Sequence, residues 1–346
     1  MVHAKSLKME LFKKKIKWGN YNGSINIHSD LKDSDIRKII AEKKIHTIQF
    51  YEFKSPSEKT WKVLEKFFYK YPHITLSISW FDQVNFDFFR YLPSVKKLSI
   101  SSYMTKDFSP IKNYVDLEEL SIGETKSKAI KVNFIEHFKN LKSFYNDGMK
   151  KGFEVLANSH KLEQLTLRGV KLESLDFLIP LSKLRKIELL YGSYENITAL
   201  TKIVNLQRLE ISRVRKIEDF SFLNKLSALE SLTIEGQTSL NKLPNLENII
   251  NLEYLGISNN RNLNDISNIE KLKSIKVLWL SYSDSQKVKE IKSLLGQAIS
   301  FCLKSKSIEF SNLSSFYLTT EEDKELLTKT GIKEYREWIV NNKHKM

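Results

Sequence analysis

Seven histidines, His3, His28, His46, His73, His137, His160 and His344, and a single cysteine, Cys302, have the widest chemical repertoire in this 346-residue chain. Metal-assisted hydrolysis needs ligands at short regular spacing, such as HxxxH or HExxH, and no two of these histidines are spaced that way. One cysteine excludes a disulfide framework and a cysteine-based zinc site. Cys302 falls on the apolar side of an expected helix at 284–302, where a buried, inert thiol is expected. The 11 glycines are isolated and make no phosphate-cradling loop. Serine, histidine and aspartate all occur, but nothing in their spacing arranges a triad. An enzyme would need a site assembled only in three dimensions. The expectation is a non-enzymatic protein without cofactor or metal.

The remaining candidates are residues that dominate binding surfaces, tyrosine, tryptophan and arginine, and their meaning depends on the elements that carry them. Those elements are repeated. Apolar residues at positions 1, 4 and 6 of one phrase recur as Val95/Leu98/Ile100, Leu117/Leu120/Ile122, Leu162/Leu165/Leu167 and Leu184/Ile187/Leu189. The phrase continues as Leu206/Leu209/Ile211, Leu229/Leu232/Ile234, Leu252/Leu255/Ile257 and Ile275/Leu278/Leu280. Leu141/Phe144 is a weaker copy with Asn146 in third place. Successive starts lie 22, 24, 21, 22, 22, 23, 23 and 23 residues apart. Strand side chains alternate, so positions 4 and 6 share a face. One unit cannot bury that face alone, whereas a stacked neighbour can cover it.

This pattern resembles the leucine-rich repeat family, whose unit opens LxxLxLxxN, and in period it is similar to the SDS22-like and bacterial internalin-type subclass. The second-half phrases are "DFSPIKNYVDL" at 107–117, "DFLIPLSKL" at 176–184, "DFSFLNKLSAL" at 219–229 and "DISNIEKLKSI" at 265–275. The resemblance implies an α/β solenoid with a curved parallel β-sheet on the concave face, short helices and turns on the convex face, and helical caps. It implies an N-terminal cap of divergent, more helical units at 1–72, repeats at 73–283 and a C-terminal helical cap at 284–346. The family asparagine after the strand stands at Asn260, whereas Tyr103, Thr125, Met149, Val170, Gly192, Val214, Gln237 and Ser283 occupy the equivalent places. The turn carbonyls must then find water or backbone donors.

In the caps, "INI" at 25–27, "KIHTIQFYE" and "HITLSISW" read as strands, with helices near 31–43 and across 55–72, the latter started by Ser55 and Pro56. "SIEF", "SFYL" and a helix over "TTEEDKELLTKTGIKEYREWIVNN" are expected at the other end.

Positions 3, 5, 7 and 8 are expected to face solvent on the concave side. In the early units they are small and hydroxylated, among them Ser99, Ser101, Ser102 and Ser121. Farther on they include Tyr145, Arg168, Tyr191, Arg213, Tyr254 and Trp279, the expected partner-binding residues. For Trp279 and Tyr282 the alternative is cover by the C-terminal cap. Lys186 and Arg208 are column neighbours, as are Glu188 and Glu210, which makes either a self-compensated lattice or a charged docking patch. Ser212 is expected to face water.

The formal net charge is +15, with Lys5, Lys8, Lys13, Lys14, Lys15 and Lys17 set against Glu10 alone near the N-terminus. A lysine-rich solvated surface accounts for this, and nucleic-acid or anionic-membrane binding is the alternative. No apolar run suits a signal sequence or a membrane span, so a cytoplasmic setting is expected. The expected function is a protein-binding scaffold whose partner, another protein, sits on the concave face.

Overall fold

Runs such as Lys97–Ser101, with Leu98 and Ile100 inward and serines outward, are the strands of this molecule. The computed structural model describes residues 16–42, 44–51, 53–113, 116–282, 288–305 and 310–315. The chain divides into two units, Met1–Ile130 with His137–Leu141, and Lys131–Glu136 with Lys142–Met346.

The first unit carries β1 (Trp18–Tyr21), β2 (Ser24–Ile27), α1 (Asp33–Ile40), β3 (Thr47–Phe50), α2 (Glu58–Lys70), β4 (Thr75–Ser79), β5 (Lys97–Ser101) and β6 (Glu119–Ile122). Strands β2 to β6 are parallel and in strict register, so Ile25, Ile48, Leu76, Leu98 and Leu120 form one column. Ile27, Phe50, Ile78, Ile100 and Ile122 form a second, and both columns are buried. Strand β1 is a difference from expectation: it closes an antiparallel hairpin on β2 through Asn22–Gly23, with φ of 53° and 94°. The Asn-Gly pair is the hairpin signal that the sequence carried there. Helix α2 starts two residues later than Ser55–Pro56 suggested, capped by Ser57, whose hydroxyl accepts from Thr60 N. Trp61, Leu64, Phe67 and Phe68 are its buried stripe.

The second unit carries β7 (Ser143–Asp147), β8 (Gln164–Arg168), β9 (Lys171–Ser174), β10 (Lys186–Leu190), β11 (Ser193–Asn196), β12 (Arg208–Ser212), β13 (Ser231–Glu235), β14 (Tyr254–Ser258), β15 (Val277–Tyr282), α3 (Val288–Lys304) and β16 (Phe310–Ser315). All but β9 and β11 form a parallel run. Phe144, Leu165, Ile187, Leu209, Leu232, Leu255 and Leu278 stack in one buried column. Asn146 stands in the parallel column beside Leu167 and is fully buried, its amide donating to Met149 O at 3.2 Å. Helix α3 buries Leu294, Ala298, Phe301 and Cys302, so the thiol lies in the core. The lysines before residue 16, the phrase at 319–342 and Ser283 lie outside the described residues.

Between strands the chain returns mostly through short 3-10 turns, such as Ser221–Lys225 and Ser267–Lys271. Both of these begin on an Asx turn. Asp219 Oδ1 accepts from Ser221 N at 2.8 Å and Asp265 Oδ1 accepts from Ser267 N at 2.7 Å. These are the aspartates of the recurring "DF" and "DI" phrases.

The turn carbonyls are satisfied in two ways. Asn260 is fully buried, accepts from Gln237 N and donates to Ile234 O. Elsewhere the amides of the next unit do this work: Ser193 N donates to Val170 O at 2.9 Å and Arg215 N to Gly192 O at 3.0 Å. These bonds accompany a second, two-stranded sheet of β9 and β11. Val170 can therefore be apolar where the family pattern has asparagine, and the Met149 carbonyl accepts from the Asn146 amide instead.

Five positions expected on the solvent face are buried, Gly148 and Gly256 among them. Ser102 donates to Asp82 O and meets Thr105 Oγ1. Ser212 is 3% exposed and donates to Glu235 Oε2 at 2.8 Å. Val277 is 2% exposed. Short hydroxyls at strand ends fold back onto neighbouring acceptors, and an apolar edge residue is covered by longer side chains beside it.

Candidate functional site

The open face of the second unit is built from β7, β8, β10, β12, β13, β14 and β15. Its middle column runs Tyr145, Thr166, Glu188, Glu210, Thr233, Gly256 and Trp279. Just past the strands is a column of left-handed residues: Gly148, Gly169, Tyr191, Arg213, Gly236 and Asn259 all have positive φ. Each amide here donates to the next strand, as Tyr191 N does to Ser212 O and Arg213 N to Glu235 O, both at 2.8 Å. The ladder demands this conformation. At Gly236 a side chain would also collide, because an added Cβ would sit 2.7 Å from Arg213 Cγ.

Two bulky residues accept the left-handed backbone, Tyr191 at φ 54° and Arg213 at φ 50°. Such conformations cost about 1–3 kcal/mol for non-glycine residues. They place the side chains outward on the same edge. The Arg168 guanidinium lies 5.1 Å from the Tyr191 ring centroid and that of Arg213 lies 5.6 Å from it. Asp147 holds Arg168 at 2.7 Å, while Arg213 meets Glu235 only at 3.6 Å. Tyr191 remains 50% exposed. Three of the six residues expected to bind a partner thus form one contiguous cluster.

Tyr145 stands beside this cluster, half-buried, its phenol pKa raised first by burial and then by the Asp147 carboxylate. Tyr254 lies away from it. Its ring covers Gly256, where an added Cβ would meet Tyr254 Cε1 and the hydroxyl oxygen, each at 3.1 Å. Trp279 is half-buried on the next strand, in register with Gly256 and, on its other side, with Asn312 of β16.

Among the four acids of this face, three are engaged. Glu188 accepts from Thr166 Oγ1 at 2.6 Å and pairs with Lys186 at 2.6 Å. Asp147 and Glu235 hold the arginines. The fourth, Glu210, has no hydrogen bond or ion pair among the described residues. Its carboxyl pKa is raised by partial burial and by Glu188 and Glu235, against a smaller opposing effect of Lys186. The column therefore compensates itself at Glu188 and fails to do so at Glu210. Sequence reasoning placed Glu210 on the face without seeing its isolation. The adjacent Glu188 and Glu210 were the available signal.

Glu210 lies in an open pocket of about 210 Å³, lined also by Lys186, Glu188, Arg208, Thr233 and Tyr254. A larger pocket of about 340 Å³ lies on the turn side, around Asp219, Asn224 and Asn268. Its polar groups are already used: Asn224 accepts from Asn248 N and Asn268 donates to Leu243 O. Among the described residues no group of histidine, cysteine and acids would hold a metal ion.

In the first unit the strand face is small and hydroxylated, with Ser77, Ser99 and Ser121 in register. It is not featureless at its edge. Phe81 and Tyr103 stack there at 5.5 Å, 64% and 39% exposed.

No protein-family model matches the chain, and no curated protein matches it. Solved structures do. A leucine-rich repeat protein of Leptospira interrogans is 19% identical, with 78% of this chain and 68% of that one aligned at a TM-score of 0.52. The fold is a leucine-rich repeat solenoid. An internalin of Listeria monocytogenes, InlF, is 20% identical over 73% of this chain and 77% of its own, with a TM-score of 0.48. Within the solenoid, the variable positions of the repeat are those that carry Arg168, Tyr191, Arg213 and Glu210. No helix among the described residues is long and apolar enough to cross a membrane.

Proposed function

We propose that this chain is a non-enzymatic scaffold that binds another protein on the open strand face of its second unit. The observation that carries the reading is the cluster of Arg168, Tyr191 and Arg213. A tyrosine ring bracketed by two guanidinium groups is a rigid surface that loses little entropy on docking. Two of its members occupy a backbone conformation that costs stability. The buried columns beneath hold them at fixed spacing, so the surface is preorganised. Tyr145, Tyr254 and Trp279 extend the footprint along the strands.

The same face argues against a polyanion as its partner. Asp147, Glu188, Glu210 and Glu235 balance Arg168, Lys186, Arg208 and Arg213, so nucleic acid or an anionic membrane finds no net attraction here. The subclass reading, SDS22-like or internalin-type, rests on the 22- to 23-residue spacing of the later repeats and the Asx-started turns. We further propose that residues 1–72 and 284–346 are the caps of an array at 73–283, in a cytoplasmic setting.

The test is affinity capture from the source cell, followed by binding measurements with the captured protein. Tyr191→Ala and Arg213→Ala should each weaken binding by about 1–3 kcal/mol. A complex that leaves Tyr191 and Arg213 open to solvent would overturn the reading.

A further inference from the structure

We propose that the pocket around Glu210 receives an arginine side chain of the partner protein. The inference deepens the docking reading and rests on it for the kind of partner. It stands on three observations. Glu210 is the one acid of this face without a hydrogen bond or ion pair among the described residues. A half-buried carboxylate in that position has given up part of its hydration, and a cationic donor offsets that loss.

Charge is the second observation. The groups acting on Glu210 are Glu188 on β10 and Glu235 on β13, both acidic, and one base, Lys186 on β10. Lys186 is already held by Glu188 at 2.6 Å. Arg208, on the same strand, lines the pocket and makes contacts of its own. At the carboxylate the two neighbouring acids outweigh Lys186, an imbalance that an incoming cation would offset.

Shape is the third. The pocket, about 210 Å³, is smaller than the roughly 300–1,000 Å³ of small-molecule sites and suits one long side chain. Thr233 and Gly256 keep the column low next to Glu210, and the Tyr254 ring lies across Gly256 as a wall. A carboxylate in a pocket of this width is a setting that a planar guanidinium satisfies by paired hydrogen bonds. A lysine ammonium satisfies the charge but not the planar geometry.

The probe is a short blocked glycine–serine peptide with one central arginine, compared with the same peptide carrying lysine and with its neutral isostere citrulline. Methyl shifts of Ile187 and Leu209, which also line the pocket, report binding by the full chain. The arginine peptide should produce saturable shifts at least tenfold tighter than citrulline, with lysine between them. Glu210→Gln should abolish the preference and Tyr254→Ala should reduce it, while Glu173→Gln, an exposed acid on β9, should leave it intact. Melting curves establish that each variant is folded. Equal shifts for arginine and citrulline, no saturable shift with arginine up to about 10 mM peptide, which half-saturates a site of about −2.7 kcal/mol, or a preference that survives in Glu210→Gln would overturn the proposal. If arginine selectivity holds but the captured partner ignores Tyr191→Ala and Arg213→Ala, the docking reading fails and the pocket assignment stands. The opposite pattern removes the pocket and leaves the docking face.

Discussion

At the scale of single residues, this face is set by conflicts that the fold leaves unresolved. Glu210 is the clearest. A carboxyl whose folded pKa is raised holds its proton more tightly in the folded than in the unfolded chain. Its contribution to stability is full at pH below the unfolded value and is lost as pH rises through the folded value. Glu210→Gln should therefore be more stable than the wild type at pH 7.5, by on the order of 1 kcal/mol or less after solvent screening. The difference should vanish towards pH 3. Urea titrations at both pH values check this, and a gap that widens on acidification would show the sign to be wrong. Arg213 poses the second conflict. Arg213→Gly relieves a left-handed backbone but loses a ring contact and a loose ion pair. These terms are each about 1 kcal/mol, so stability should stay within roughly that amount of the wild type. Partner binding should fall all the same. A variant that melts far below the wild type would make Arg213 a structural residue.

Elements are joined by the Asx-started turns, and their aspartates tie stability to acid. Lys242 and the amide and hydroxyl of Ser267 hold the Asp265 carboxyl down at about pKa 2. A depressed carboxyl contributes stability that is present above its unfolded value and is lost as pH falls through the folded one. Asp265→Ala should cost about 1 kcal/mol at pH 7, as loss of such a cap usually does. The deficit should shrink between about pH 4 and pH 2, as pH falls towards the folded pKa of about 2, which denaturation at stepped pH would show. The phrase "DIS" made this turn legible in the sequence. The sheet of β9 and β11 was not legible, because it is formed by backbone groups whose side chains follow no repeated pattern.

Over the whole molecule, stability comes from stacked columns rather than from a central core, so a charge in a column is severe. Leu209 is 2% exposed between Ile187 and Leu232. Leu209→Asp should cost several kcal/mol or more, since it buries an unpaired charge. Gln164→Asp, on the exposed edge of β8, should be nearly silent. Ser212→Asp belongs with the first, because Ser212 is buried and its hydroxyl serves Glu235. Comparable melting temperatures for Leu209→Asp and Gln164→Asp would contradict the inside–outside assignment. The sequence by itself determined the strands of the repeats, their spacing and the two buried columns, because a period of apolar residues follows directly from alternation along a strand and from stacking between units. It also placed Arg168, Tyr191 and Arg213 in an exposed ladder. Only the tertiary structure decided that Tyr191 is bracketed, that Ser212 is buried and that Glu210 is without a partner among the described residues. Those facts depend on where side chains end in space and on which donors reach them first, and a one-dimensional pattern records the position of each Cα but not the competition among the groups it carries.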